Sequence, residues 1–147
     1  VKFIYCIMEK QFRRYYDQAA KKEGKTGTVL LTTIERRLDN VVFRLGLASS
    51  RREARQLVNH AHFTVNGQKV NIPSYMTKPG DVIKVKDSSR SKARFKEIAE
   101  GETKSMVSPK WLEKDADLLG GKVIAMPERD DIDYQVEEHL IVELYSK

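Results

Sequence analysis

The chain has 147 residues, of which 40% are hydrophobic and 33% are charged, so it can bury a core as one domain or two small ones. Its single cysteine excludes an internal disulfide framework and a cysteine zinc cluster, and no apolar run or signal-peptide pattern indicates a membrane span or export. The net charge of +6 favours a polyanionic partner, and we expect a cytoplasmic protein.

Two helices are predicted in the first third of the chain. Apolar side chains recur at three- and four-residue steps over residues 2–22, which predicts an amphipathic helix. Gly24 and Gly27 then break the pattern. A second helix is predicted from about Thr33 up to Gly46, which is a suitable C-terminal stop.

A third helix carries the most informative pattern in the sequence. Ser50 and Glu53 form a capping-box motif, so the helix is predicted to run from Arg51 to Asn59. On a helical wheel its apolar residues group on one side, which we expect to pack inward. Three arginines in its first turns repel one another, and a bound phosphate would offset that cost. The outer face is predicted to carry Arg51, Arg52, Arg55 and Asn59.

Beta structure is predicted next. Residues 63–65 precede Asn66-Gly67, which is the strongest short hairpin signal, and residues 68–72 return as the partner strand. Residues 78–81 form another turn. Residues 82–86 then alternate apolar and basic side chains, which predicts a further strand.

The last third of the chain is less regular. We predict a helix near residues 90–101, an apolar anchor at Trp111-Leu112, and short strands near Val123-Ile124 and at residues 140–142.

Charge is concentrated in the middle of the chain. Residues 1–35 carry a net charge of +3, residues 36–96 carry +10 and residues 97–147 carry −7. A solvated surface usually mixes its signs, so this asymmetry indicates two surfaces with different partners.

The sequence lacks the common motifs of catalytic and nucleotide-binding sites. It contains no phosphate-binding loop, dinucleotide-binding glycine motif or nucleophile elbow, so we expect no catalytic site. His60 and His62 could begin a metal site, but no third ligand follows at a suitable spacing. An RNA contact or plain surface exposure is the preferred interpretation of both, and the acidic group at residues 130–133 is interpreted as a solvated loop.

Three segments in the middle of the chain closely resemble one protein family. Residues 37–48 (RLDNVVFRLGLA), 51–60 (RREARQLVNH) and 65–75 (VNGQKVNIPSY) resemble bacterial small-subunit ribosomal protein S4. The resemblance covers the chain in order and extends to residues 9–13, 127–129 and 140–147. Family members carry a further N-terminal segment, so relative to them this sequence is expected to be N-terminally truncated, with an incomplete RNA footprint. Ala61 stands where the family often has Gly.

The resemblance implies an α+β fold. A mostly helical domain would be built from residues 1–35 and 97–147. Residues 36–96 would be an inserted small α/β RNA-binding module, with two helices packed on a short antiparallel sheet.

The resemblance also implies a function and partners. It implies a structural constituent of the small ribosomal subunit that binds rRNA early and nucleates assembly at a junction of several RNA helices, near the messenger entry and decoding region. The implied partners are 16S rRNA, the neighbouring small-subunit protein S5 and, in some members, the messenger of its own operon, whose translation it represses. Neither a cofactor nor a membrane is implied.

The candidate RNA contacts combine the arginine helix with basic and polar residues before and after it. The basic residues of the first helix would form a second surface outside the module. The complete candidate set is Lys10, Arg13, Arg14, Arg36, Arg37, Arg51, Arg52, Arg55, Asn59, His60, Asn66, Lys69, Lys84 and Lys86.

Other proteins share such a module, so rival hypotheses stay open at this point. Pseudouridine synthases, some aminoacyl-tRNA synthetases and a stress-induced ribosome-associated protein carry it. An enzyme would need a separate catalytic domain, whereas the flanks here resemble the ribosomal protein. An organellar ribosome is an alternative to the bacterial cytoplasm.

Overall fold

The computed structural model describes residue 5 and residues 7–22, 25–102, 108–116 and 118–132. The chain forms two compact units, which are described separately. The terminal unit comprises Val1–Arg36 and Pro127–Lys147, and the central unit comprises Arg37–Met126. With 17 basic and 10 acidic residues, the central unit has a net charge of +7, while the terminal unit has −1.

The terminal unit is helical in its described part. Helix α1 spans Glu9–Ala20 and α2 spans Thr26–Glu35, and the two pack against each other. A short 3-10 turn, Arg129–Asp131, also contacts α2. The Tyr5 hydroxyl donates a hydrogen bond to the carboxylate of Glu35, which is fully buried. The core side chains include Phe12, Tyr15, Tyr16, Ala19, Leu30, Leu31, Ile34 and Ile132.

The central unit places short helices on a five-stranded sheet. Helices α3 and α4 span Leu38–Arg44 and Arg51–Asn59, and they pack on each other. A short helix α5, Ala93–Glu97, continues into a π-helical turn at Ile98–Glu102. The strands are β1 (Phe63–Val65), β2 (Gln68–Lys69), β3 (Val82–Val85), β4 (Leu112–Lys114) and β5 (Gly120–Val123).

The sheet is antiparallel throughout, in the order β2-β1-β3-β5-β4. Phe63, Val65, Ile83 and Val85 alternate with polar residues and are buried in the same core as the apolar sides of α3 and α4. This arrangement confirms the predicted α+β class, with two helices packed on a short antiparallel sheet.

A glycine brings α3 close to the inner face of the sheet. A side chain at Gly121 of β5 would place its Cβ 2.5 Å from Cδ2 of Leu45, the residue that follows α3. Glycine at this position therefore allows Leu45 to pack closely against β5. Since neighbouring residues of a strand point to opposite faces, Lys122 lies on the outer face, where it is exposed.

The domain boundary differs from the one expected at residue 96. The central unit continues to Met126, because β5 pairs with β3 and β4 pairs with β5. The acidic tail was expected to belong wholly to the terminal unit, but its first part completes the sheet. β4 was missed because charged residues occupy two of its three positions. β5 was predicted only in part, as a strand near Val123-Ile124, because it begins with two glycines, which weaken the strand signal.

The predicted second helix was wrong in its bounds. Two helices occur there, with a break at Arg36 and Arg37, and Gly27 lies inside α2 instead of ending a helix. Arg37 is extended, with ψ of 143°, and bridges to Met76. The backbone N–H of Leu38 donates to Tyr75 O at 2.8 Å. These bonds to residues almost forty positions later keep the backbone extended between the two helices. The hydrophobic periodicity of a single segment cannot predict such bonds.

The other local predictions were closer. α4 and the Asn66-Gly67 turn are confirmed, and β2 ends at Lys69. The helix predicted over residues 2–22 is interrupted: Tyr5 is helical, Ile7 and Met8 are not, and α1 begins at Glu9. The predicted helix near residues 90–101 is confirmed in place, although its second half is π-helical. The predicted strand at residues 140–142, together with Cys6, lies outside the described residues.

The β1–β2 turn gives a stability prediction. Gly67 has φ of +84° and its Cβ position is open, so a valine there meets backbone strain and no steric clash. We expect Gly67→Val to lower the free energy of unfolding by about 1–2 kcal/mol in urea titrations followed by circular dichroism. Gln68→Val, at an exposed strand position, is the control and should change it little. Equal stability of Gly67→Val and wild type would contradict the assigned turn.

Candidate nucleic-acid interface

The start of α4 is fixed by its predicted cap. Ser50 Oγ accepts from the Glu53 N–H at 3.0 Å, as the capping-box motif predicts. The Glu53 carboxylate reaches back to the N–H of Ser49, one residue earlier than predicted, at 2.9 Å. Glu53 also pairs with Arg94 at 3.5 Å, which links α4 to α5. The helix therefore has a defined orientation at its N-terminus.

Arg51 does not lie on the outer face, so this part of the prediction was wrong. Only 6% of the residue is exposed. Its Nε donates to Asn40 Oδ1 at 2.8 Å, and its guanidinium lies 4.6 Å from the centre of the Phe43 ring. Arg51 thus connects α4 to α3 and is excluded from the candidate RNA contacts.

Arg37 is also buried, with 2% exposure, which corrects its placement among the RNA contacts. Its guanidinium donates twice to the Asp39 carboxylate, at 3.1 and 3.0 Å. Burial raises the pKa of Asp39, while the charges of Arg37 and Arg55 oppose that rise. Asp39 Oδ1 also accepts the N–H of Asn40 at 2.8 Å, so the two arginine contacts form one buried network.

The remaining polar side chains of α4 do face outward. Arg52, Asn59 and His60 are exposed, and Arg55 is partly exposed. Arg52, Arg55 and Asn59 recur at steps of three and four residues, so they share one side of the helix. His60 follows Asn59 directly, at the C-terminal end of α4. These four residues are called the α4 surface below.

Asn66, which is exposed and stays a predicted RNA contact, also has a structural role. Its Nδ2 donates to Asp81 Oδ1 at 2.9 Å, and its Oδ1 accepts from the Val82 N–H at 2.9 Å. Asp81 also accepts the N–H of Lys78 at 3.0 Å, so the side chain joins two turns. Both polar atoms of the Asn66 amide are therefore used within the fold.

Lys69 and Lys84 lie on the outer face of the sheet. Both pair in register with Thr64 of β1, so the three residues form one row across the strands. Lys122 pairs with Val82, two residues before Lys84, so it lies on the same face. Since α3 and α4 cover the inner face, this lysine row and the α4 surface lie on different sides of the central unit. Lys84 Nζ is 3.9 Å from the Asp115 carboxylate.

A further basic group, which sequence reasoning did not assemble, surrounds His62. His62 Nδ1 lies 2.8 Å from the hydroxyl of the buried Ser89. Burial lowers the pKa of His62, and the nearby charges of Lys86 and Lys92 lower it further. Of these residues Lys86 was in the predicted contact set, and His62 had been interpreted as either an RNA contact or a plain surface residue. The set His62, Lys86, Ser89 and Lys92 is called the His62 cluster below.

The remaining candidates belong to the terminal unit. Lys10, Arg13 and Arg14 are exposed on α1, and Arg13 Nε is 3.6 Å from Asp17. Arg36 is partly exposed just after α2.

The described residues contain no group of three or more His, Cys, Asp and Glu side chains placed to hold a metal. His139 and Asp133 lie outside those residues. Within the same part of the chain, every helix is too short or too polar to cross a membrane.

Comparisons with known proteins agree on one family. The family described as "S4 domain" matches residues 36–83, and the one described as "Ribosomal protein S4/S9 N-terminal domain" matches residues 1–35. Relatives named small ribosomal subunit protein uS4 are similar over all 147 residues, which cover 70% of their own length. The identity is 64% in Caldicellulosiruptor bescii, 61% in Halothermothrix orenii and 56% in Clostridioides difficile.

The opposite roles of two adjacent arginines give a second prediction. Arg51→Ala removes a buried charge-assisted hydrogen bond and the contact with Phe43, so we expect it to lower the free energy of unfolding by about 2–3 kcal/mol. Arg52→Ala, the matched control at an exposed position, should change it by less than about 0.5 kcal/mol. Urea titration of both variants measures the difference. Two equally stable variants would show that Arg51 is not part of the core.

Proposed function

Because the chain belongs to the family of small ribosomal subunit protein uS4, we propose that it is a structural constituent of the small subunit that binds 16S rRNA. The match of the S4 domain to residues 36–83 carries this proposal, since these residues form most of the strongly basic central unit. RNA is the polyanion that such a unit would meet in a ribosomal subunit.

The α4 surface is the proposed main contact with the RNA backbone. Arg52 and Arg55 can donate bidentate hydrogen bonds to phosphate oxygens, and Asn59 can bond to phosphate or ribose. A helix is rigid, so these side chains keep fixed spacings. Fixed spacing suits RNA, whose helices and junctions are recognised largely by the shape of the backbone.

The lysine row and the basic face of α1 are proposed as additional contacts. Lysine is a flexible point charge, so Lys69 and Lys84 would add affinity with less geometric selectivity than the arginines. Lys10, Arg13, Arg14 and Arg36 would give the terminal unit its own electrostatic attraction to RNA. His60 and Lys86 are also proposed as RNA contacts.

The finer parts of the function depend on the family resemblance. We propose that the protein binds early, at a junction of several RNA helices near the messenger entry and decoding region, and so nucleates assembly. Protein S5 would be its neighbour, and the messenger of its own operon would be a second RNA ligand through which it represses translation. The protein would act on the ribosome.

The enzyme alternative is not favoured. In modifying enzymes the module is joined to a catalytic domain, whereas the uS4 relatives match this chain along its whole length, including both flanks of the module. No catalytic activity is therefore proposed.

RNA binding to a 16S rRNA transcript tests the proposal. The full chain should bind it more tightly than bulk transfer RNA, and the affinity should fall steeply with salt. Arg52→Gln with Arg55→Gln should reduce the log–log salt slope, as measured by filter binding. The expected reduction is about 0.7–0.9 for each phosphate that the variant no longer neutralises.

A charge-matched control separates the α4 surface from net charge. Lys21→Gln with Lys22→Gln removes the same charge from two exposed positions at the end of α1 and should cost less affinity. Absence of preferential binding by the wild type would contradict the proposed function. An equal reduction of affinity in the two double variants would contradict only the role of the α4 surface.

A further inference from the structure

The His62 cluster is held by a tightly bonded turn. The N–H of Lys86 donates to His62 O at 2.8 Å, the N–H of Ser89 donates to Lys86 O at 3.0 Å, and that of Lys92 donates to Ser89 O at 3.0 Å. The 3-10 turn Asp87–Ser89 therefore wraps around the imidazole and places a lysine before and after it. These backbone bonds thus hold the main chain of Lys86 and Lys92 on either side of Ser89, near the ring.

The imidazole itself has a defined orientation. Its Nδ1 faces Ser89 Oγ at 2.8 Å, and its ring meets the edge of Phe95 with centroids 5.6 Å apart. Ser89 is fully buried and Phe95 nearly so, so both restrict rotation of the ring. This orientation assigns Nδ1 to the interior and leaves Nε2 for contact with a ligand.

Lys86 from the end of β3 and Lys92 from the residue before α5 place positive charge near His62. The ring of His60 approaches from the end of α4, with ring centroids 6.2 Å apart. In the described part of the chain neither lysine pairs with a carboxylate. Asp87, the nearest acidic residue in sequence, is exposed and lies 3.7 Å from Arg90.

Arg94 of α5 pairs with carboxylates away from His62, and Lys96 adds a further exposed positive charge to this helix. Arg94 lies 3.5 Å from Glu53 and 3.6 Å from Glu97. No carboxylate is among the groups that shift the titration of His62. The cluster thus concentrates cations without a counter-ion from the described part of the protein, and an anionic ligand would relieve their repulsion.

We propose that the His62 cluster binds one RNA phosphodiester and that His62 takes up a proton when it does so. This inference rests on the proposed RNA-binding function and names a contact beyond the α4 surface. Lys86 and Lys92 would hold the two non-bridging oxygens, and Nε2–H of the imidazolium would donate to one of them. Nδ1–H would donate to Ser89 Oγ, so both ring protons of the imidazolium would have acceptors.

The sign of the pH dependence follows from linkage. Burial and neighbouring cations lower the pKa of His62 below 6.5 in the free protein, and a bound phosphodiester would raise it. Binding therefore consumes a proton at pH values between the free and the bound pKa. In that interval the affinity rises as the pH falls, by up to about tenfold per pH unit for one proton.

The test measures binding of the full chain to a 16S rRNA transcript from about pH 7.5 to about pH 5.5 at constant salt, the range in which histidine titrates. The wild type should bind more tightly as the pH falls. His62→Gln keeps a hydrogen-bonding side chain but cannot titrate, so its affinity should be weaker and less dependent on pH. His139→Gln, which removes a histidine outside the cluster, should retain the wild-type slope.

Calorimetry of the wild type in buffers of different ionisation enthalpy gives an independent readout that does not require the variant to fold. Net proton uptake on binding near about pH 6.5, where an unperturbed histidine titrates, is the expected result. Tight binding without proton uptake, or with the same slope in His62→Gln, would overturn this inference and leave the proposed function intact. No binding at any pH would instead overturn the proposed function.

Discussion

A buried polar network connects the two helices on which the candidate interface depends. Arg37 and Asp39 form a bidentate pair at the start of α3, and Asn40 accepts the Nε hydrogen of Arg51 at the start of α4. Buried ion pairs carry a large desolvation cost, so their effect is chiefly on orientation. We infer that this network fixes the rotation of α4 against α3, because each donor meets its acceptor in only one arrangement.

That rotation decides which arginines reach solvent. With Arg51 turned inward against Phe43, the next residue, Arg52, is turned outward. Arg55 lies between these extremes and contributes positive charge near Asp39. The same side chain type therefore stabilises the helix pair at one position and remains available to a phosphate at the next. The candidate interface is a consequence of how the core is assembled.

Sequence reasoning succeeded where the signal is local and failed where the partner is distant. The Ser50 cap of α4 and the Asn66-Gly67 turn depend on residues within four positions, and both were predicted correctly. Arg51 was misplaced because a helical wheel treats any charged residue as solvent-facing, whereas its partner Asn40 lies eleven positions earlier. The His62 cluster joins residues that lie 27 positions apart in the sequence, so sequence reasoning considered His62 and Lys86 separately without bringing them together.

The central claim is that α4, oriented by this network, presents its outer surface to RNA. Ultraviolet crosslinking of the full chain to 16S rRNA, with the attachment sites found by mass spectrometry, tests it most directly. Crosslinks within residues 52–60 are the predicted result, since Arg52, Asn59 and His60 are exposed there. Crosslinks confined to Lys69, Lys84 and Lys122, with none on α4, would contradict the account and place the RNA on the outer face of the sheet.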